Sequence, residues 1–367
     1  MDYKELLGKS VASTTTLGFR FVGLATPFTQ EEGGQTSVRD TEKFCDDALL
    51  SRPNGTGKIG STFYGVLRMD GDGMGERFEA CATLGELLSL NESTGFFFEG
   101  WINHFCKASA QEVLRDREDV PETARCAYCL FAGGDDVLIV APWRVLPALA
   151  LAINNGYARF TATGNPLHSE EFQRLPEFHL SAALVIEKQF FPLYQLDAYA
   201  DDDLKDNKKL THKAETLVRW REGDAVSFLG KTLHWESFAQ AQAFGNDLFR
   251  LLTLPPANAL ARAFLQRLRW LAQQYESDLV ASWKNAEAEQ QEKLESSRGW
   301  LQGKWSWRAS YALQQAIADA EPGLKDALSN IRKELLEPTN HPALITYLHL
   351  AAQWADLLTR TEEMKHA

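Results

Sequence analysis

Several absences narrow the reading before any motif is found. No run reaches the roughly 18 uninterrupted apolar residues that cross a bilayer, and the opening MDYKELLGKS has no apolar signal-peptide core. The expectation is a soluble, cytoplasmic protein with no membrane contact. The five cysteines (Cys45, Cys81, Cys106, Cys126, Cys129) are odd in number and scattered, which excludes a disulfide scaffold and suits a reducing compartment. None of the eight histidines forms an HxxxH or HExxH pair, and no His-Asp dipeptide occurs. Basic residues are the scarcer charge: 38 Lys and Arg against 50 Asp and Glu leave a net charge of −12, which argues against a protein that wraps nucleic acid unaided.

What is present is an ordinary globular composition, 44% hydrophobic and 24% charged over 367 residues, with room for about two to three domains. The charge is uneven. Residues 1–204 carry 17 basic and 30 acidic side chains, residues 205–310 carry 16 and 12, and residues 311–367 carry 5 and 8. The first part suits a site that concentrates cations, and the middle could face an anion.

Residues 1–60 mix strand-like runs with polar, Gly-bearing stretches and are expected to be an irregular N-terminal segment. From Phe63 to Met69, FYGVLRM is strand-prone and ends in Asp70-Gly71-Asp72-Gly73-Met74-Gly75. Thr83 to Asp116 has helical spacing, unbroken or split near Asn91–Gly95, with Leu84, Leu87, Leu88, Phe98, Trp101 and Phe105 inward. Cys126–Ala132 and Val137–Ala141 flank Gly133-Gly134-Asp135-Asp136, a hairpin pattern. Pro142 can open a helix running to about Asn154 and stopped by Asn155-Gly156. Leu180–Ile186 reads as a buried strand, Phe191–Leu204 as a helix and Thr216–Trp220 as a short strand. The order predicts an α+β fold. A ferredoxin-like, split βαβ sheet over 61–222, with helices on one face, precedes an α-helical bundle over 223–367.

The carboxylates carry the chemistry. In a split βαβ sheet the first and third strands are central neighbours, so Asp70 and the Asp135-Asp136 turn should converge. Convergent carboxylates stay ionised around a cation, and oxygen donors select Mg²⁺ or Mn²⁺. Such an arrangement suits phosphoryl transfer. Gly133 and Gly134 permit a tight turn, while Gly73 and Gly75 let backbone amides approach phosphate.

YGVLRMDGDGMGERF followed by FAGGDDVLIVAP resembles the catalytic palm of the large, polymerase-like subunit of type III CRISPR effector complexes. LSAALVI and GDAVSFLGKTLHWESFAQAQAF extend the likeness to about residue 245, and the helical end, QWADLLTR, is compatible with it. The resemblance implies a nucleotidyltransferase that converts ATP into cyclic oligoadenylate in antiviral defence. By motif position Asp70, Asp135 and Asp136 would be catalytic and metal-binding. Asp72 would be a further metal ligand or a support for the loop. Gly73, Met74 and Gly75, with Gly133 and Gly134, would meet the nucleotide. Ser181 would lie near base or ribose, and Lys208 and Lys209, with Lys213, near the triphosphate.

The family is usually longer, with a phosphohydrolase domain and a further palm ahead of this one. Without a His-Asp dipeptide, DNA cleavage by that route is not implied. The expectation is that a homodimer, or a separate subunit, supplies the second palm, alone or within an RNA-guided effector complex. Two other readings compete: a diguanylate-cyclase-like enzyme, disfavoured by Val137 after Asp136, and a catalytically silent structural subunit of a CRISPR complex. Cys126-x-x-Cys129 is read as buried thiols rather than zinc ligands, His104 and His179 as structural. Trp300, Trp305 and Trp307 are read as bundle core or a protein interface.

Overall fold

The computed structural model describes residues 26–30, 36–51, 57–106, 127–162, 178–209, 224–253, 262–284, 304–337 and 343–360. The expected strand at 216–220, Lys213, Cys126, Trp300 and the polar segment 285–297 lie outside the described residues.

Ahead of the palm lie β1 (Phe28–Gln30) paired with β2 (Thr36–Val38), helix α1 (Thr41–Asp47), and β3 (Leu50–Ser51) paired with β4 (Lys58–Ile59). This part is more ordered than the expected irregular segment. Asp40 caps α1 by accepting from the Lys43 N–H, and Phe44 and Cys45 enter the core. A buried Arg39–Asp47 ion pair closes it.

The palm sheet is built from β5 (Tyr64–Gly71), β6 (Tyr128–Gly133), β7 (Asp136–Pro142), β8 (Leu180–Glu187), β9 (Ala225–Phe228) and β10 (Lys231–His234), in the order β10-β9-β8-β5-β7-β6. β5 is central and antiparallel to both neighbours, as the split βαβ pattern predicts. The sheet runs on through His234, past residue 222, because β9 adds in parallel to β8 and turns back as β10.

Between β5 and β6 stand α2 (Met74–Ala80) and α3 (Leu84–Gly95), the latter opened by a Thr83/Glu86 capping box and continued by a π-helical turn, Phe96–Trp101. After β7 comes α4 (Leu146–Thr161), and after β8 comes α5 (Leu193–Lys209). Strand alternation splits the core between two faces. Leu67, Met69, Ile139 and Ala182 meet Phe97, Phe98, Leu149 and Ile153 on one face. Tyr64, Val66, Val140 and Ala183 meet Leu196, Ala200 and Phe44 on the other. The helices on one face were expected; α5 and α1 also cover the second.

Two helix expectations change. Leu84, Leu87, Leu88 and Trp101 are exposed, not inward. The first turns of α3 stand clear of the core, and burial begins at Leu90; Phe98 is buried as expected. Asn155-Gly156 does not stop α4, which starts after Pro142 at Leu146 and continues to Thr161. Gly156 is required there for packing, since a Cβ would lie 2.2 Å from the Phe105 ring.

The bundle comprises α6 (Trp235–Thr253), α7 (Ala263–Lys284), α8 (Lys304–Asp319), α9 (Pro322–Leu336) and α10 (Leu344–Thr359). Its axis is α10, buried along nearly its whole length. Gly245 lets α6 cross it closely, because a Cβ there would sit 3.1 Å from the Ala351 carbonyl. Trp354 packs on Phe228 and Trp143, which joins bundle and palm in one core. Trp305 is buried against Tyr275, whereas Trp307 is 81% exposed. Among the described residues, no helix is long and apolar enough to cross a membrane.

Candidate active site

The expected convergence occurs at the end of β5. The register that pairs Met69 with Val137 continues so that Asp70 opposes Asp136, and the Gly71 N–H donates to the Asp135 carbonyl at 3.2 Å. Gly133 pairs with Asp136 across a two-residue connection. Gly134, at φ +65°, occupies its first position, where a II′ hairpin requires glycine.

The glycine that admits the close approach is Gly71. A Cβ on it would come within 2.8 Å of Met74 Cγ and 3.0 Å of Asp135 Cβ. Sequence reasoning passed over Gly71, although its place directly after Asp70 was a usable signal. Gly73 is left-handed at φ +66° and precedes α2, while Gly75 and Gly134 have open space where a Cβ would project.

The two hairpin carboxylates have different neighbours, Asp135 in the turn and Asp136 at the start of β7. Asp135 lies over Gly71, and Tyr157 feels its charge. Asp136 feels the charges of Arg68 and of Asp201 in α5. Burial pushes the Asp135 carboxyl above the usual range. Burial and then the Asp135 charge do the same to Asp136. Arg68 opposes this weakly, being bound to Asp197 at 2.9 Å and near Asp201 at 3.9 Å. Among the described residues, no three His, Cys, Asp or Glu side chains are gathered so as to hold a metal ion on their own. The expected ligand set of four is therefore not a preformed cage.

Asp72 has the contacts of the loop support that was one of its two expected roles, and Ser181 is its partner. Asp72 Oδ1 accepts from Ser181 Oγ at 2.8 Å, Oδ2 accepts from the Asp224 N–H at 2.7 Å, and the Asp72 N–H donates to the His179 carbonyl at 3.0 Å. Both carboxylate oxygens are thus engaged by the protein, and Asp72 holds its loop. Burial pushes its carboxyl up to about 6. Ser181 is fully buried and spends its hydroxyl on Asp72, so it presents no open face to a base or ribose.

Two further residues line the floor. Met74 is buried, its sulfur 3.9 Å from the Tyr157 hydroxyl. Arg77, also buried, stacks over Phe178 at 3.9 Å, and burial lowers its pKa. Lys208 and Lys209 close α5 just after Asn207, whose amide donates to the Ala182 carbonyl at 2.8 Å. The end of α5 therefore returns to the Ser181 edge of the sheet. His179 is structural, as expected, through its contact with Asp224, and Cys129 is a buried free thiol.

Comparison with known proteins bears on the fold. Residues 63–217 match the family described as Cas10/Cmr2, second palm domain. A curated relative, the CRISPR system single-strand-specific deoxyribonuclease Cas10/Csm1 (subtype III-A) of Methanocaldococcus jannaschii, is 25% identical over 184 residues, 49% of this chain and 21% of that protein. In solved structures the fold is similar to a Csm1–Csm4 cassette in complex with cA3 (TM-score 0.54, 15% identity, 92% of this chain and 40% of that one). It is similar also to a Csm1–Csm4 cassette in complex with one ATP (TM-score 0.55, 15% identity, 92% and 40%). The chain thus spans about a fifth of the curated relative and two fifths of the solved chains. Over residues 63–217 it is similar to the second palm domain of Cas10/Cmr2, the type III CRISPR likeness that its motifs suggested.

Proposed function

We propose that this palm is a metal-dependent nucleotidyltransferase that joins ATP into a cyclic oligoadenylate as part of a type III CRISPR effector. The observation that carries the reading is the closure of the Asp135 turn onto Gly71 with both hairpin carboxylates half-buried. Among the described residues neither carboxylate forms an ion pair, and carboxylates in that state are poised for a ligand that brings positive charge.

Mg²⁺ or Mn²⁺ fits this donor set. The donors are oxygens, their mutual repulsion is relieved by a cation, and Mg²⁺ is commonly held by one or two carboxylates plus substrate phosphates and water rather than by a protein cage. Asp70, Asp135 and Asp136 would hold it, and when bound it supplies activation of the attacking hydroxyl and neutralisation of the leaving pyrophosphate. Asp72 orients the loop. Gly73, Met74 and Gly75 offer backbone amides toward phosphate, Gly133 and Gly134 keep the turn slim, and Lys208 and Lys209 bring positive charge at the end of α5. The solved relatives that hold ATP or cA3 support the choice of adenine nucleotides.

Joining two nucleotides requires a second one whose hydroxyl faces the first α-phosphate, so we assign that acceptor site to another palm, in a second copy or a separate subunit. Leu84, Leu87 and Leu88, exposed along α3, and Phe131, exposed on edge strand β6 beside the turn, suit such a partner. Incubation with each labelled nucleoside triphosphate and Mg²⁺ or Mn²⁺, followed by mass spectrometry, tests the reading. Product from ATP is expected; none from ATP, alone or with the partner complex, removes it. Light scattering tests the second palm, and a strict monomer that makes cyclic product overturns that requirement.

A further inference from the structure

A polar circuit lies beside the carboxylate turn and belongs to none of the roles above. Its hub is Asp224, directly ahead of β9 and in the left-handed region at φ +55°. Asp is among the few side chains that tolerate this conformation, and such a residue persists where its surroundings over-determine it. Here they do. The Asp224 N–H donates to Asp72 Oδ2 at 2.7 Å. One carboxylate oxygen meets His234 Nε2 at 2.7 Å, at the end of β10, and the other faces His179 Nδ1 at 3.5 Å, ahead of β8. His234 Nδ1 in turn accepts from the Glu236 N–H at 3.4 Å. The Asp224 carboxyl is largely covered, at 17% exposure.

The circuit has a direction. Asp72 stands two residues beyond Asp70 and one beyond Gly71, the residue that touches the Asp135 turn. Everything that holds Asp72 is anchored on β8 or β9: the Ser181 hydroxyl, the His179 carbonyl and the Asp224 amide. Asp224 is itself tied to β10, whose last residue His234 leads into α6. Its carboxylate therefore fixes the corner from which its amide reaches the loop.

We propose that Asp224 is a positioning residue of the palm: its carboxylate, clasped by His179 and His234, locks the corner whose amide holds Asp72, and so sets Asp70 and Gly71 against the Asp135 turn. The proposal rests on the nucleotidyl-transfer reading for its effect on turnover, but not for its effect on the loop. A bland alternative is that Asp224 only satisfies two histidines. That alternative leaves the 70–75 segment indifferent to the carboxylate.

The test uses the full chain and separates the backbone from the side chain. Asp224→Gly keeps the amide donor and accepts positive φ, but removes the carboxylate. Amide hydrogen exchange over residues 70–75 is expected to quicken by about tenfold or more, the scale of one charge-assisted hydrogen bond, while 344–359 in α10 is unchanged. With ATP and metal, kcat is expected to fall by roughly 10–100-fold, as for groups that orient a metal's own ligands, with KM changing less than about threefold. Asp224→Asn, which keeps an acceptor oxygen and tolerates the same φ, should restore most of the protection and of kcat.

Wild-type exchange at 70–75 in the glycine variant overturns the proposal, as does equal loosening of α10, which would mark a general loss of stability. So does an asparagine variant no better than glycine. Should the glycine variant not fold, His234→Ala carries the test. It leaves Asp224 in place, and unchanged exchange at 70–75 overturns the proposal. If the wild type transfers no nucleotide, the nucleotidyl-transfer reading fails, and exchange still decides whether Asp224 holds the loop.

Discussion

Two sets of carboxylates lie at one edge of the palm sheet, and the protein treats them oppositely. At the hairpin, burial raises the pKa of Asp135 and Asp136, and Arg68, whose charge acts on Asp136, is occupied by Asp197 and Asp201. Ahead of β9, burial also opposes charge on Asp224, but hydrogen bonds from His179 and His234 outweigh it and bring its carboxyl down to about 2. The difference separates a carboxylate whose charge the fold itself stabilises from carboxylates whose charge it opposes. The first is given hydrogen-bond partners by the chain; under the proposed function the second await the positive charge that a ligand brings.

The comparison can be broken most severely at the hairpin. Replacing Asp135 and Asp136 by alanine is expected to lower nucleotide transfer by at least about 100-fold, the scale on which one preorganised electrostatic group acts. Thermal unfolding without metal should stay level or shift upward at neutral pH, since two desolvated charges are removed. Asp224→Ala should shift it downward. If both variants lose stability alike, the two sets of carboxylates are not different in kind.

Next in size is Gly71→Ala. The added Cβ would press on Met74 and Asp135, and overpacking of this kind costs about 1–3 kcal/mol. Denaturant titration should register that loss, and transfer should fall more than stability does because the Asp135 turn is displaced.

His349 sharpens the comparison as a buried group with no protein partner to stabilise its charge. Its Nδ1 has no hydrogen-bond partner, and burial, with Lys231 and Arg269, lowers its pKa from 6.5 to about 4. The unfolded chain therefore takes up this proton first as the medium is acidified. The resulting stability is fully present above pH 6.5 and drains away as pH falls toward 4. Unfolding midpoints measured across that window should slope less in His349→Phe than in the wild type.

The smallest effect is expected where no buried charge is touched. Leu84→Ser with Leu88→Ser alters exposed side chains and should change stability by less than about 0.5 kcal/mol per site. Light scattering should show weaker pairing if α3 faces a second palm, and an unchanged mass in a protein that pairs would place the partner elsewhere.

Much of the palm was legible in the sequence because its signals are local. FYGVLRM ends where β5 meets the carboxylates, Gly133 to Asp136 make their own turn, and strand order follows from a pattern with few solutions. Other features were illegible for want of neighbours. The spacing of Leu84, Leu87 and Leu88 declares an apolar stripe but not whether anything lies beneath it. Asn155-Gly156 resembles a helix stop until Phe105 is seen to occupy the space above the glycine. The N-terminal segment looked irregular because the core that receives Phe44 and Cys45 is formed by β5, β7 and α5.

By itself, then, the sequence determined the split βαβ palm, the helical bundle after it, and which carboxylates stand at strand ends, since periodicity and turn chemistry act over a few residues. Only the tertiary structure decided which partners each carboxylate has. Asp72, Ser181, Asp224 and His234 meet across as many as 162 positions of sequence, and whether a buried charge is paired or left open depends on partners that chain spacing does not encode.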